Sequence, residues 1–164
     1  ACEYLDIEID KITNGIQNFK GTDRRFQFKG KLNDATIIDD YAHHPTEIKA
    51  TIDACKNYEH NELICIFQPH TYTRTKSLLN EFAECFDGVD ETIILDIYAA
   101  REKDNGEIHS KDLVNKIVSR GNKVLYFENF ESCIEYLHKK CIPNNLLITM
   151  GAGDVYLIGD KLLN

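Results

Sequence analysis

Five short runs of apolar, β-favouring residues punctuate the chain, at residues 35–38, 63–67, 92–95, 123–127 and 146–150. Their starts lie 28, 29, 31 and 23 residues apart. Strands that are apolar throughout are covered on both faces, and a spacing near 30 residues leaves room for a helix after each. Helical stripes fill those gaps. Ile48, Ile52 and Cys55 follow i, i+4, i+7, and Leu78, Phe82 and Phe86 form a second stripe flanked by Leu79 and Ala83. Leu113, Val114, Ile117 and Val118 make a third, Phe130, Ile134 and Leu137 a fourth, and the tail from Val155 to Leu163 predicts a last helix. Pro45-Thr46, Thr73 and Ser110 stand near the expected helix starts, as N1 prolines and capping hydroxyls do. Upstream, residues 3–18 read as helical. Arg25-Phe26-Gln27-Phe28-Lys29 alternates and ends at Gly30, which predicts a strand antiparallel to the next one. No internal repeat or low-complexity stretch interrupts the pattern. The expected fold is a doubly wound α/β domain, with a mostly parallel sheet of about six strands and helices on both faces.

Composition narrows the function. With 19 Lys+Arg against 27 Asp+Glu the net charge is −8, which argues against nucleic acid or an anionic membrane as the main partner. No apolar run approaches the roughly 20 residues that span a bilayer. The start, Ala1-Cys2-Glu3-Tyr4-Leu5-Asp6, has no signal-peptide core, so a cytoplasmic location is expected. It also lacks an initiator Met, which points to processing or to excision from a longer chain. Cys2, Cys55, Cys65, Cys85, Cys133 and Cys141 contain no C-x-x-C pair and most lie in apolar stripes. They are expected to be reduced, mostly buried small hydrophobes rather than disulfides or zinc ligands.

The candidate chemistry sits where the strands end. In doubly wound sheets, ligands bind beyond the carboxyl ends of the strands. Four such ends carry Asp39-Asp40-Tyr41-Ala42-His43-His44-Pro45-Thr46-Glu47, Gln68-Pro69-His70-Thr71-Tyr72-Thr73-Arg74-Thr75, Asp96-Ile97-Tyr98-Ala99-Ala100-Arg101-Glu102-Lys103 and Gly151-Ala152-Gly153-Asp154. Asp40 suits a ribose hydroxyl or a helix cap. Arg74 suits a carboxylate or phosphate, or a surface ion pair. His43 and His44 are adjacent, so their side chains point apart and no metal site is expected from them. Gly151-x-Gly153 lacks the third glycine of a dinucleotide fingerprint, and a tight strand-to-helix turn explains it equally well. No P-loop, nucleophile elbow or C-x-x-C occurs. The residues alone support a polar site for a small ligand, a nucleotide or an amino acid.

Those strand-end segments, with Phe19-Lys20-Gly21-Thr22-Asp23-Arg24-Arg25-Phe26 upstream and Thr149-Met150-Gly151-Ala152-Gly153-Asp154-Val155-Tyr156 downstream, closely resemble the C-terminal domain of the Mur ligases that join L-alanine to UDP-N-acetylmuramate. The likeness runs over essentially the whole chain, in order. It implies a Rossmann-like domain at residues 19–164, with residues 1–18 either a lead-in helix or the end of a central ATPase domain. It also implies ATP-dependent amide formation through an acyl phosphate in peptidoglycan precursor synthesis. ATP and Mg2+ would be held mainly by the central domain, and the UDP-sugar by an N-terminal one. This domain alone is then expected to be inactive, with no catalytic residue and no metal ligand of its own. Carried onto this sequence, the resemblance places Asp40, Tyr41, His43 and Arg25 beside the nucleotide. It places His70, Tyr72, Arg74, Gly151 and Gly153 beside the amino acid. Some relatives have arginine where this chain has Thr71. Two alternatives stay open: a related ligase that adds a preformed peptide in wall recycling, which Tyr41 and Glu47 disfavour, and a non-catalytic nucleotide-binding module.

Overall fold

A computed structural model describes residues 2–19 and 21–164. Ala1 and Lys20 lie outside the described residues, as do the side chains of Cys2 and Glu3, so the expectation for Cys2 does too. Strands β1 (Gln27–Leu32), β2 (Ala35–Asp40), β3 (Leu63–Phe67), β4 (Glu91–Leu95), β5 (Val124–Phe127) and β6 (Leu146–Met150) form one sheet of order β1-β2-β6-β3-β4-β5. Only β1 runs antiparallel to its neighbour, β2. The continuously apolar runs at 63–67 and 146–150 are buried at every position, as strands covered on both sides must be.

Chain direction decides which face each helix takes. Helices α2 (Pro45–Cys55), α3 (Tyr72–Ser77), α4 (Leu79–Cys85) and α5 (Ser110–Ser119) belong to the steps β2 to β3 to β4 to β5. Ile48, Ile52, Phe82, Leu113 and Ile117 pack on one face with Ile38, Phe67 and Ile148. The step from β5 back to β6 carries α6 (Phe130–His138), and α7 (Tyr156–Leu163) follows. Their Cys133, Leu137, Ile158 and Leu162 pack on the opposite face with Ile37, Ile66 and Ile93. A constant right-handed crossover requires this reversal when the strand order turns back. Cys55, Cys65, Cys85, Cys133 and Cys141 are free and buried.

Several local expectations are revised. The helix expected to start near Thr73 and run through the second stripe is broken at Leu78, whose φ −115° and ψ 24° are not helical, so α3 ends before the stripe and α4 carries it. The caps are histidines rather than the neighbouring hydroxyls. His44 accepts from Thr46 N–H with Glu47 returning the bond, and His109 accepts from Lys111 N–H with Asp112 in the same role. Pro45 does sit at the first helical position. Thr73 instead bonds Glu102, and Ser110 donates to the Leu95 carbonyl. β1 continues through Gly30 to Leu32, with a bulge between Phe28 and Gly30, and Arg25 lies in the bend before it rather than in the strand.

The segment predicted helical at residues 3–18 is a 3-10 turn, Cys2–Leu5, followed by α1 (Ile9–Gln17), which buries no residue. Among the described residues, no helix is long and apolar enough to cross a membrane.

Candidate functional site at the switch point of the sheet

β3 and β6 are neighbours, yet the chain leaves β3 toward α4 on one face and leaves β6 toward α7 on the other. The crevice between their carboxyl ends is the topological switch point. Gly151-Ala152-Gly153 closes it from one side and Gln68 from the other. A Cβ on Gly151 would come within 2.8 Å of the Gln68 carbonyl, and Gly151 has φ +148°. A Cβ on Gly153 would fall on Gln68 Oε1 and lie 2.7 Å from Tyr98 Cγ. Both glycines are therefore dictated by close approach. Gln68 completes the turn by donating to Asp154 Oδ1 at 2.9 Å and accepting from Val155 N–H at 3.2 Å.

Three arginines approach this edge, and they divide by what they already hold. Arg24 has each of its three guanidinium nitrogens engaged. Its Nε donates to Asp39 Oδ2 at 2.9 Å, Nη1 to the Gly153 carbonyl at 3.0 Å and Nη2 to the Gly151 carbonyl at 2.6 Å. The rings of Tyr41 and Tyr156 flank the guanidinium at 5.0 and 4.6 Å. Asp39, with a side chain 0% exposed, also accepts from Thr149 Oγ1 at 2.6 Å. This pair ties the bend at residues 22–26 to β2 and to the β6–α7 turn. Arg25 and Arg74 differ. Arg25 lies over the Tyr41 ring at 5.4 Å, and its guanidinium makes no hydrogen bond or ion pair among the described residues. Arg74 donates only from Nη1, to His70 Nδ1 at 3.2 Å and to the His70 carbonyl at 3.4 Å. Its Nε and Nη2 edge is open among the described residues.

Between these two cations runs a row of rings. Tyr41 meets His43 edge-on at 5.3 Å, His43 is 6.0 Å from His70, and His70 stacks on Tyr98 at 5.6 Å. The row is held from behind by Asp40. That carboxylate is 6% exposed and accepts Ala42 N–H on Oδ1 and Phe26 N–H on Oδ2, both at 2.7 Å. Asp40 thus shapes the loop that carries Tyr41 and His43 and does not cap α2. Glu47 supports the same loop by accepting from the His43 and His44 backbone N–H groups at 3.1 and 3.3 Å. Burial works to raise its carboxyl, but these bonds and the charge of His43 outweigh it, and the pKa is lowered. His70 is held below the usual histidine range, first by burial and then by the Arg74 and His43 charges.

At the other wall, Thr71 donates to Tyr98 O at 2.9 Å, and Tyr98 donates to Pro69 O at 2.8 Å. This parallel bridge extends the sheet past β3 and β4 and seats Tyr98 on His70. Thr71 takes φ +69° to turn the chain into α3, a strained conformation of the kind stored at binding sites.

The structure thus brings Arg25, Tyr41, His43, His70 and Arg74 into one row with Asp40 behind it, and sets Gly151 and Gly153 in the adjoining turn. It does not bring Tyr72 there. That side chain lines a separate cavity of about 610 Å3 with Lys76, Glu102 and Ile108. Burial, then Asp104, Asp96 and Glu102, raise its pKa. Sequence reasoning missed Arg24, Gln68 and Tyr98. One signal was available for Arg24: pairing Gln27 with Asp39 across the hairpin sets the residues before β1 against the end of β2. Among the described residues, no group of three or more His, Cys, Asp or Glu side chains is placed to hold a metal ion.

Comparisons with known proteins bear on this geometry. Residues 24–153 match the family model described as Mur ligase, glutamate ligase domain. Over 97% of its length the chain is 54% identical to a UDP-N-acetylmuramate--L-alanine ligase of Caldanaerobacter subterraneus subsp. tengcongensis, of which it covers 35%. It therefore spans about a third of the length of the curated relatives it matches. In structure it is similar to the UDP-N-acetylmuramate-alanine ligase of Thermotoga maritima, with a TM-score of 0.81, 22% identity, and coverage of 99% of this chain and 34% of that one. It is also similar to a folylpolyglutamate synthase/dihydrofolate synthase of Yersinia pestis complexed with AMPPNP and Mn ion. There the TM-score is 0.69, the identity 15%, and the coverage 96% of this chain and 34% of that one.

Proposed function

The chain belongs to the Mur ligase family, as its C-terminal glutamate ligase domain, and from that premise we propose that it positions L-alanine and nucleotide in a longer, ATP-dependent ligase acting on UDP-N-acetylmuramate in the cytoplasm. The observation that carries this reading is the division among the arginines. All three guanidinium nitrogens of Arg24 are engaged by protein acceptors, while Arg25 and Arg74 hold open donor edges at the two ends of a ring-lined row.

In this reading ATP is the co-substrate whose γ-phosphoryl group activates the muramoyl carboxylate as an acyl phosphate. The amine of alanine attacks the acyl carbon, the bond to phosphate breaks, and phosphate leaves with the electron pair. Arg74 takes the amino-acid carboxylate on its Nε–Nη2 edge, a planar fork suited to a bidentate bond. His70, kept neutral, donates beside it. Tyr41 and Arg25 face the nucleotide, with Asp40 behind them accepting a ribose hydroxyl on its remaining lone pairs. Gly151 and Gly153, their carbonyls held by Arg24, form the wall of the amino-acid site. Mg2+ belongs, in this reading, mainly to other parts of the longer protein, where it would neutralise charge on the transferring phosphoryl group, and no step is routed through it. Holding the amine against the acyl carbon and keeping water away is the contribution of this domain.

We further infer that the segment at residues 1–18 is a lead-in helix from, or the end of, the ATPase part of the longer protein. Ile12, Ile16 and Phe19 recur at i, i+4, i+7 along a groove of about 410 Å3, and none is buried. An apolar stripe of that kind needs a cover.

The test is steady-state ligation by the full-length protein with ATP, UDP-N-acetylmuramate and single amino acids. Alanine-dependent phosphate release with formation of the amide supports the proposal. Absence of any alanine-dependent product, with nucleotide still bound, overturns it.

A further inference from the structure

The two imidazoles of the row are chemically opposite. Nδ1 of His43 lies 3.0 Å from the Tyr41 carbonyl and 3.4 Å from Glu47 Oε2. Both are acceptors, so Nδ1 carries the hydrogen and a neutral His43 presents a lone pair at Nε2. Nδ1 of His70 faces Arg74 Nη1 at 3.2 Å. A guanidinium only donates, so that nitrogen accepts and the proton of His70 sits on Nε2. Neither Nε2 is engaged by another described residue. The row therefore reads as guanidinium, N–H donor, bare nitrogen, from Arg74 through His70 to His43. That sequence matches an amino acid laid along it with its carboxylate toward Arg74 and His70 and its ammonium toward His43.

We propose that His43 Nε2 is the base that takes a proton from the ammonium of the incoming amino acid, so that the amine can attack. This rests on the ligase reading above. An ammonium has no lone pair, and one N–H bond must break before or during C–N bond formation. The first proton passes to Nε2 of His43 and the freed electron pair forms the bond to the acyl carbon. As the tetrahedral adduct collapses, phosphate departs with the C–O electron pair and takes the second N–H proton, leaving a neutral amide and hydrogen phosphate. The Tyr41 carbonyl and the Glu47 carboxylate, both on the Nδ1 side, stabilise the imidazolium that results, as an orienting acceptor does for a general base. The charged and titratable groups that face His43 are Glu47 on its own loop, Tyr41 beside it with Arg25 over that ring, and His70 with Arg74 behind it. Asp40 lies beneath the loop, bonded to backbone.

The experiment uses the full-length protein and two acceptors. Hydroxylamine is largely a neutral amine near pH 8 and needs no base before it attacks an acyl phosphate; L-alanine is mostly protonated there. His43→Gln is expected to lower alanine ligation by about 10²- to 10⁴-fold, the range of a general base. Hydroxamate formation from UDP-N-acetylmuramate, ATP and hydroxylamine should stay within about threefold of the wild type. The alanine rate of the variant should also recover as pH rises, because free amine replaces the missing base. His44→Asn, which keeps an N-cap acceptor, should leave both reactions unchanged. Equal loss with both acceptors shows that His43 serves acyl-phosphate formation or folding and overturns the proposal. An unaffected alanine rate overturns it as well. If the wild type makes hydroxamate but no alanine product, the ligase reading has failed instead.

Discussion

Arg24→Ala is the substitution whose cost follows most directly from the structure. It removes the partner of Asp39, whose carboxylate is 0% exposed while the arginine side chain is 21% exposed. Thr149 Oγ1 still donates to Asp39, but one hydroxyl cannot replace a cation at a buried charge. Breaking a buried pair from one side costs about 3–5 kcal/mol, most of it the charge left behind. The carbonyls of Gly151 and Gly153 lose their donors at the same time. For a chain of 164 residues, at roughly 2–4 °C per kcal/mol, Tm should fall by about 6–20 °C. Differential scanning calorimetry on this chain measures it directly. Asp39→Asn supplies the control, because it removes the buried charge and still accepts from Thr149. Arg24→Ala should therefore cost at least about 1.5 kcal/mol less in the Asp39→Asn background than in the wild type, the signature of coupled neighbours. Arg24→Lys should fall between, since one ammonium cannot meet three acceptors spread around a guanidinium. A loss below about 1 kcal/mol for Arg24→Ala, or simple additivity with Asp39→Asn, would refute the reasoning.

Other consequences can be checked in parallel. Gly153→Ala puts a Cβ on Gln68 and the Tyr98 ring, so it should cost about 1–3 kcal/mol in thermal unfolding of this chain. His70 resists protonation when folded, so the unfolded chain binds the extra proton below its ordinary pKa of 6.5. Its contribution is present above that value and is lost as pH falls toward the lowered native one. Tm measured from about pH 7.5 to about pH 5 should drop less steeply for His70→Asn than for the wild type. Ile12→Asp with Ile16→Asp should leave the Tm of this chain within about 1 °C, because surface changes cost little. The same pair should destabilise the full-length protein if that stripe is covered there.

Much of this could be read from the chain because burial and chemistry follow separate rules. The runs at 63–67 and 146–150 are apolar at every position, which only a sheet covered on both faces explains, and the helical stripes dictate the layers on it. Histidines and arginines beyond strand ends mark the candidate binding edge for the same reason. What could not be read is how each polar group is employed. Arg24 and Arg25 are adjacent and chemically identical, yet one is buried in acceptors and the other lies open over Tyr41. Only the folded hairpin and the β6–α7 turn make that difference. Tyr72 and Arg74 stand two residues apart at the start of one helix, so they point to different sides, and Tyr72 faces the cavity by Glu102. For Gly151 and Gly153 the sequence points to a tight strand-to-helix turn, and only the fold shows the close contacts with Gln68 and Tyr98 that demand it.

The central claim is that the open edge of Arg74 receives the amino-acid carboxylate while the Tyr41 side receives nucleotide. Steady-state kinetics of full-length Arg74→Ala, with alanine and ATP varied in turn, tests it most directly. Loss of a charge-assisted bond of about 1.5–3 kcal/mol should raise the KM for L-alanine roughly 10- to 100-fold. The KM for ATP should stay within about twofold of the wild type. An equal rise for both substrates, or a fall in kcat with both KM values unchanged, would contradict the account.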